Sequence, residues 1–249
     1  MNWGEKPVLI LGYGVRASGV DPKPFLDLGI PVLTSWQSMD LVDNYHPMYF
    51  GRPGIYGQRS ANSVLYQASH VYSIGCRMTP WMIGHGGLRP DQKLTMLDVD
   101  RHEVARFPEA GQILDTIENF ISYAKKADLP EWIAECNSYR TPWIESPAHD
   151  DTNGYMNSYR ICGEIEKHLR PDEVICVDVG SHMASFFQGV HVKPPQRVIC
   201  GGGLGEMGCA LPSSIGASFA RNKGEVLCLV GDGGLMINLQ ELQTIVHHK

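Results

Sequence analysis

The run Gly231-Asp232-Gly233-Gly234 stands directly after the apolar segment Val226-Leu227-Cys228-Leu229-Val230. Such a segment reads as a buried parallel strand. A strand ending in Gly-Asp-Gly-Gly delivers one carboxylate to the carboxyl edge of a sheet, flanked by residues without side chains. Open α/β sheets bind ligands at that edge. Glycines let backbone N–H groups approach a phosphate, and the helix expected from Leu235 to about His247 would direct its positive end there. Asp232 could then hold a hard cation, Mg²⁺ by its oxygen preference, bridged to diphosphate oxygens. The bland alternative is a strand-to-helix turn with Asp232 as its N-cap.

Two more stretches carry the same chemistry. Val177-Asp178-Val179-Gly180-Ser181-His182 follows the apolar strand expected at Val174–Val177. Cys200-Gly201-Gly202-Gly203-Leu204-Gly205-Glu206-Met207-Gly208-Cys209-Ala210-Leu211-Pro212 lies between it and Asp232. In this order, the three motifs resemble the diphosphate-binding domain of thiamine-diphosphate enzymes, above all the acetolactate synthase-like group. The first half is similar to the middle domain of the same enzymes. Its matching residues are Pro7 to Gly14, Gly54-Ile55-Tyr56-Gly57 with Ser60-Ala61-Asn62, Ser73-Ile74-Gly75-Cys76-Arg77, and Leu97 to Asp100.

The resemblance assigns roles. Gly180, Ser181 and His182, with Gly205, Gly231, Gly233 and Gly234, would contact thiamine diphosphate, and Asp232 would bind Mg²⁺. For Gly180 to His182 the alternative is a helix capped at Ser181. Met207 would be the wedge between the two cofactor rings, against the alternative of an ordinary core methionine. Glu206 receives no catalytic role. Asn238 follows Asp232 too soon to be the family's second metal ligand and is expected to face the cofactor site or a partner. FAD, bound in the middle domain of acetolactate synthases proper, would lie along Gly57, Arg77, Asp98 and Asp100. The family's Arg-Phe-Asp-Asp is Arg77-Met78-Thr79-Pro80 here, which argues against FAD. The loop Gly12-Tyr13-Gly14 lacks a full G-x-G-x-x-G, so NAD is not expected.

The implied reaction decarboxylates a 2-oxo acid such as pyruvate and ligates the product to a second carbonyl. A simple 2-oxo acid decarboxylase or a non-catalytic nucleotide-binding scaffold are the other readings. The family's cofactor-activating glutamate has no counterpart in this sequence, so no catalytic residue is assigned. Its later metal-binding asparagine has none either. The chain is therefore expected to be a fragment of a longer enzyme that forms a homo-dimer or homo-tetramer.

The elements that must position these motifs alternate. Strands are expected at Val8–Leu11, Ile30–Leu33, His70–Ile74 and Lys93–Val99. Helices are expected at Pro22–Leu28, Ala61–Ala68, Ile113–Lys125, Pro130–Tyr139 and Tyr155–His168. This rhythm predicts two doubly wound α/β domains with parallel sheets, the second incomplete. The middle domain would span 1–141, a linker rich in proline and acids 142–154, and the diphosphate-binding domain 155–249.

At 249 residues the chain is long enough for two domains, and a net charge of −6 without basic clusters argues against nucleic acid as a partner. No apolar run suits a membrane span, and the start lacks a signal-peptide pattern, so the expected location is the cytoplasm. The seven cysteines form no C-x-x-C pair and read as reduced thiols.

Overall fold

The computed structural model describes residues 3–140, 151 and 153–248. The chain divides into two units, Met1–Pro142 and Trp143–Lys249. Most of the segment expected as a linker, 142–154, lies outside the described residues.

The first unit holds a parallel sheet of β1 (Pro7–Leu11), β2 (Val32–Thr34), β3 (Tyr49–Gly51), β4 (His70–Ile74), β5 (Lys93–Leu97) and β6 (Gly111–Gln112). Its order is β3-β2-β1-β4-β5-β6. Every residue of β1 is buried. Leu9 and Leu11 enter one apolar cluster with Phe25, Tyr72 and Phe120, while Val8 and Ile10 enter another with Val64, Val71 and Trp132. Alternation along an extended strand thus feeds a core on each face of the sheet. The helices are α1 (Tyr13–Ser18), α2 (Lys23–Leu26), α3 (Arg59–Gln67), α4 (Pro80–Ile83), α5 (Arg101–Ala105), α6 (Ile117–Tyr123) and α7 (Pro130–Ser138).

The second unit contains α8 (Ser158–His168), β7 (Val174–Val177), α9 (Ser181–Gly189), β8 (Arg197–Cys200), α10 (Ala210–Ala220), β9 (Leu227–Leu229), α11 (Asp232–Ile237) and α12 (Glu241–His248). Its described strands form a parallel sheet in the order β8-β7-β9. The α/β class and the parallel sheets are as expected from the sequence.

Several boundaries differ for local reasons. The second helix stops at Leu26, ahead of Gly29, whose φ of +71° ends the helical path. The expected helix at Ile113 begins only at Ile117, where the Thr116 side chain accepts from Asn119 N. Asn157 does the same for α8, accepting from Tyr159 N, so that helix starts at Ser158 rather than Tyr155. The helix expected from Leu235 begins earlier, at Asp232, and is broken after Ile237.

Candidate functional site

In the second unit the chain runs from β7 out to β8, then returns to place β9 on the other side of β7. The strand order reverses between β7 and β9, which is where an open parallel sheet leaves a crevice at its carboxyl edge. The loops Asp178–Gly180 and Val230–Asp232 leave the sheet there side by side. Asp178 N donates to the Leu229 carbonyl at 2.8 Å, so the pairing of the two strands extends into the loops.

The His182 ring lies over both loops. A Cβ added at Gly180 would stand 2.8 Å from His182 Cε1, and one at Gly231 would stand 3.4 Å from the same atom. His182 Nε2 is buried and has no hydrogen-bond partner. A buried polar atom without a partner costs free energy, about 1–3 kcal/mol. The ring turns Cε1 and Nδ1 toward Gly231, and Nε2 stands 3.9 Å from the Cβ position of Gly180.

A buried carboxylate organises the other side. Asp178 is fully buried. Both its carboxylate oxygens accept from Gly208 N at 2.9 Å, and Oδ1 also accepts from Val179 N at 2.9 Å. A Cβ at Gly234 would stand 2.0 Å from Asp178 Oδ2, so only glycine allows the first turn of α11 to lie this close. Burial, reinforced by the Asp178 carboxylate, holds the neighbouring Cys209 thiol above its ordinary pKa. Cys209 is thereby kept as a neutral thiol, donating to Asp178 Oδ1 at 3.6 Å.

Met207 is half exposed, and its Cε lies 3.0 Å from where a Cβ of Gly233 would stand. Asp232 is exposed, with Oδ1 accepting from Gly233 N at 2.8 Å. The structure therefore brings His182 of the Gly180-Ser181-His182 run to Gly231, Met207 to Gly233, and Asp178 to Gly234. Gly205 sits farther along the exposed loop, its N–H donating to Gly201 O at 2.9 Å. Asn238 donates to Gly208 O at 2.6 Å, in the loop that carries Met207.

In the first unit the residues suggested for a nucleotide lie at the carboxyl ends of β3, β4 and β5, each with a local partner. Arg77 Nε pairs with Glu103 Oε1 at 2.8 Å. Asp98 accepts from Asp100 N, and Asp100 caps α5 by accepting from His102 N, both at 2.9 Å. Gly57 N closes a turn onto Gly54 O at 2.9 Å.

The match to known proteins follows this geometry. Residues 1–122 match the model of the thiamine pyrophosphate enzyme central domain, and residues 178–249 match the C-terminal TPP binding domain of the same enzymes. The chain belongs to the thiamine pyrophosphate enzyme family. A probable acetolactate synthase large subunit of Methanococcus aeolicus is 28% identical over 98% of this chain and 45% of its own length. The acetolactate synthase isozyme 1 large subunit of Escherichia coli K12 is 27% identical over 98% of this chain and 44% of its own. The large subunit of Lactococcus lactis is 26% identical over 97% and 44%. The chain thus spans less than half the length of these relatives. Among the described residues no helix is long and apolar enough to cross a membrane.

Sequence reasoning gave no role to Asp178 and named no neighbour for Asn238. Asp178 carries a readable signal, since it ends an apolar strand just as Val230 leads into Gly231 and Asp232. The bond from Asn238 to Gly208 joins two separate loops and leaves no mark in either.

Proposed function

We propose that residues 155–249 form the diphosphate-holding side of a thiamine-diphosphate site, and that residues 1–141 are the middle domain of the same acetolactate synthase-like enzyme. The observation that carries this reading is the His182 ring, laid over Gly180 and Gly231 by its Cε1–Nδ1 edge and carrying a buried, unpartnered Nε2, at the reversal of strand order. A diphosphate oxygen there would give that atom its partner. The N–H groups of Ser181 and His182, at the start of the nine-residue helix α9, add donors aimed along the same edge.

Thiamine diphosphate, when bound, would supply an electron sink for the pair left on the carbonyl carbon of the 2-oxo acid as CO₂ departs. The residues of this chain bind and orient. Gly231, Gly233 and Gly234 let backbone approach the diphosphate. Among the described residues no group of three His, Cys, Asp or Glu side chains gathers to hold a metal. Asp232 would hold Mg²⁺ and so help neutralise the diphosphate. Met207, whose Cε lies against Gly233, would be the wedge between the two rings of the cofactor.

The overall reaction proposed is decarboxylation of a 2-oxo acid such as pyruvate and ligation of the remainder to a second carbonyl, in a cytoplasmic homo-oligomer. Were FAD bound in the first unit, it would share Arg77, Asp98 and Asp100 with their present partners Glu103, Asp100 N and His102 N. The test is calorimetric titration of the chain with thiamine diphosphate, with and without Mg²⁺. Binding that requires Mg²⁺ and is lost in Asp232→Ala is the expected result. Affinity equal in Asp232→Ala and wild type would remove Asp232 from the metal site, and no binding at all would overturn the reading.

A further inference from the structure

Gly208, the residue after Met207, is held at both ends. It donates its N–H to the buried Asp178 carboxylate at 2.9 Å. The Gly208 carbonyl accepts from Asn238 Nδ2 at 2.6 Å. Asp178 comes from the end of β7, and Asn238 from the residue that closes α11. Gly208 itself has a φ of +86°, and a Cβ there would stand 2.8 Å from Ile237 Cγ2. The residue is fixed in a left-handed conformation that side-chain-bearing residues rarely adopt. Beyond this point the loop is open: Leu204 is 94% exposed.

We propose that Asp178 and Asn238 are positioning residues that together set the place of Met207. The inference deepens the functional reading and rests on Met207 supporting the cofactor. Neither side chain needs to touch the cofactor. Each fixes one end of the Gly208 residue, and the preceding Met207 is thereby laid against Gly233. A bond to a buried carboxylate is among the stronger hydrogen bonds, and removing an acceptor from a buried N–H leaves that donor without a partner. Placement errors of about 1 Å at a reacting centre have large effects on rate, which is why such supports matter.

The experiment uses the full chain labelled at the methionine methyl groups with ¹³C. The Met207 resonance is identified by its loss in Met207→Leu. Asp178→Asn, Asn238→Ala and Asn238→Asp are then compared, each with its melting temperature and its affinity for thiamine diphosphate with Mg²⁺. The expected result is a selective shift or broadening of the Met207 methyl in all three. Affinity falls about 10-fold for Asp178→Asn and about 3-fold for Asn238→Ala.

The order of the two Asn238 variants separates positioning from packing. Asn238→Asp keeps the shape but places a carboxylate oxygen against the Gly208 carbonyl, so a hydrogen-bonding role makes it the more damaging. If it is milder than Asn238→Ala, shape alone matters and the proposal fails. An unmoved Met207 methyl in folded variants also overturns it. Should Asp178→Asn fail to fold, the half-buried Asn238 pair still decides. Wild type that binds no thiamine diphosphate would defeat the functional reading, while the methyl shifts would still judge the positioning.

Discussion

The two sheets reverse strand order in the same way, yet their switch points are built differently. In the first unit the reversal falls between β1 and β4. There Gly12 N donates to Ile74 O at 2.9 Å and Gly14 N to Gly75 O at 2.8 Å. A Cβ at Gly12 would stand 2.1 Å from Gly75 O. Backbone lies on backbone, and the N–H groups that a phosphate would need are engaged. In the second unit the reversal between β7 and β9 is lined by side chains. His182 carries an unpartnered nitrogen, and Asp178 and Met207 frame the approach. Topology alone thus creates a candidate crevice twice. The second leaves a side-chain nitrogen without a partner, and that difference is what the proposed site rests on.

The largest expected effect breaks the comparison most directly. Gly12→Ala drives a methyl group into Gly75 O and Cys76 Cα, at 2.1 and 2.2 Å. It should cost about 3 kcal/mol or more in chemical denaturation of the first unit. Thiamine-diphosphate affinity of the folded protein should be unchanged. Gly234→Ala, 2.0 Å from the Asp178 carboxylate, should remove both stability and affinity. Equal losses of affinity in the two variants would erase the distinction between the switch points.

Next in size is His182→Phe, which keeps a flat ring over the glycines and removes the nitrogen. Affinity for thiamine diphosphate should fall about 10-fold or more, the worth of a hydrogen bond to a charged group. The ligand-free protein should melt no lower than wild type, because a buried unpartnered atom is gone. A lower melting point would mean that Nε2 has a partner in the free protein.

Asp100→Ala sharpens the contrast from the other side. Asp100 caps α5, so its loss should cost about 1 kcal/mol of stability in a urea titration. Added FAD should not stabilise wild type more than the variant. The smallest effect is one of pH. His70 lies in β4 with Nε2 on Thr95 Oγ1 at 2.7 Å and Nδ1 on Tyr72 Oη at 3.2 Å. Partial burial, then Lys93, lowers its pKa below the usual 6.5. The folded state therefore favours the neutral ring. This contribution is complete above about pH 6.5 and is lost as the pH falls below it through the folded-state value. His70→Gln should flatten that part of the stability–pH curve, and an unaltered slope would show that His70 does not set it.

The strands β1, β4, β5, β7 and β9 were legible because each is an apolar run closed by glycine or aspartate. Others left weaker marks. Tyr49–Gly51 is short, Arg197–Cys200 begins on a charged residue, and α10 mixes proline, serine and glycine among its apolar positions. Proline is tolerated in that first turn, but nothing in the local pattern announces a helix. At the site, Gly180, Ser181, His182, Met207 and the Gly231–Gly234 run could be named because glycine-rich strand ends are visible one motif at a time. Asp178 to Gly208 and Asn238 to Gly208 could not, since both bonds depend on which loops the sheet order makes neighbours.

The interruption after Ile237 has a mechanical consequence. Glu241 N, Leu242 N and Gln243 N reach back to Asn238 O, Leu239 O and Gln240 O, so a tight turn stands where a continuous helix would have run. A continuous helix would be one rod reaching from His248 to Gly233 and Gly234. The turn divides that rod, and Asn238, bonded to Gly208, stands on the α11 side of the division.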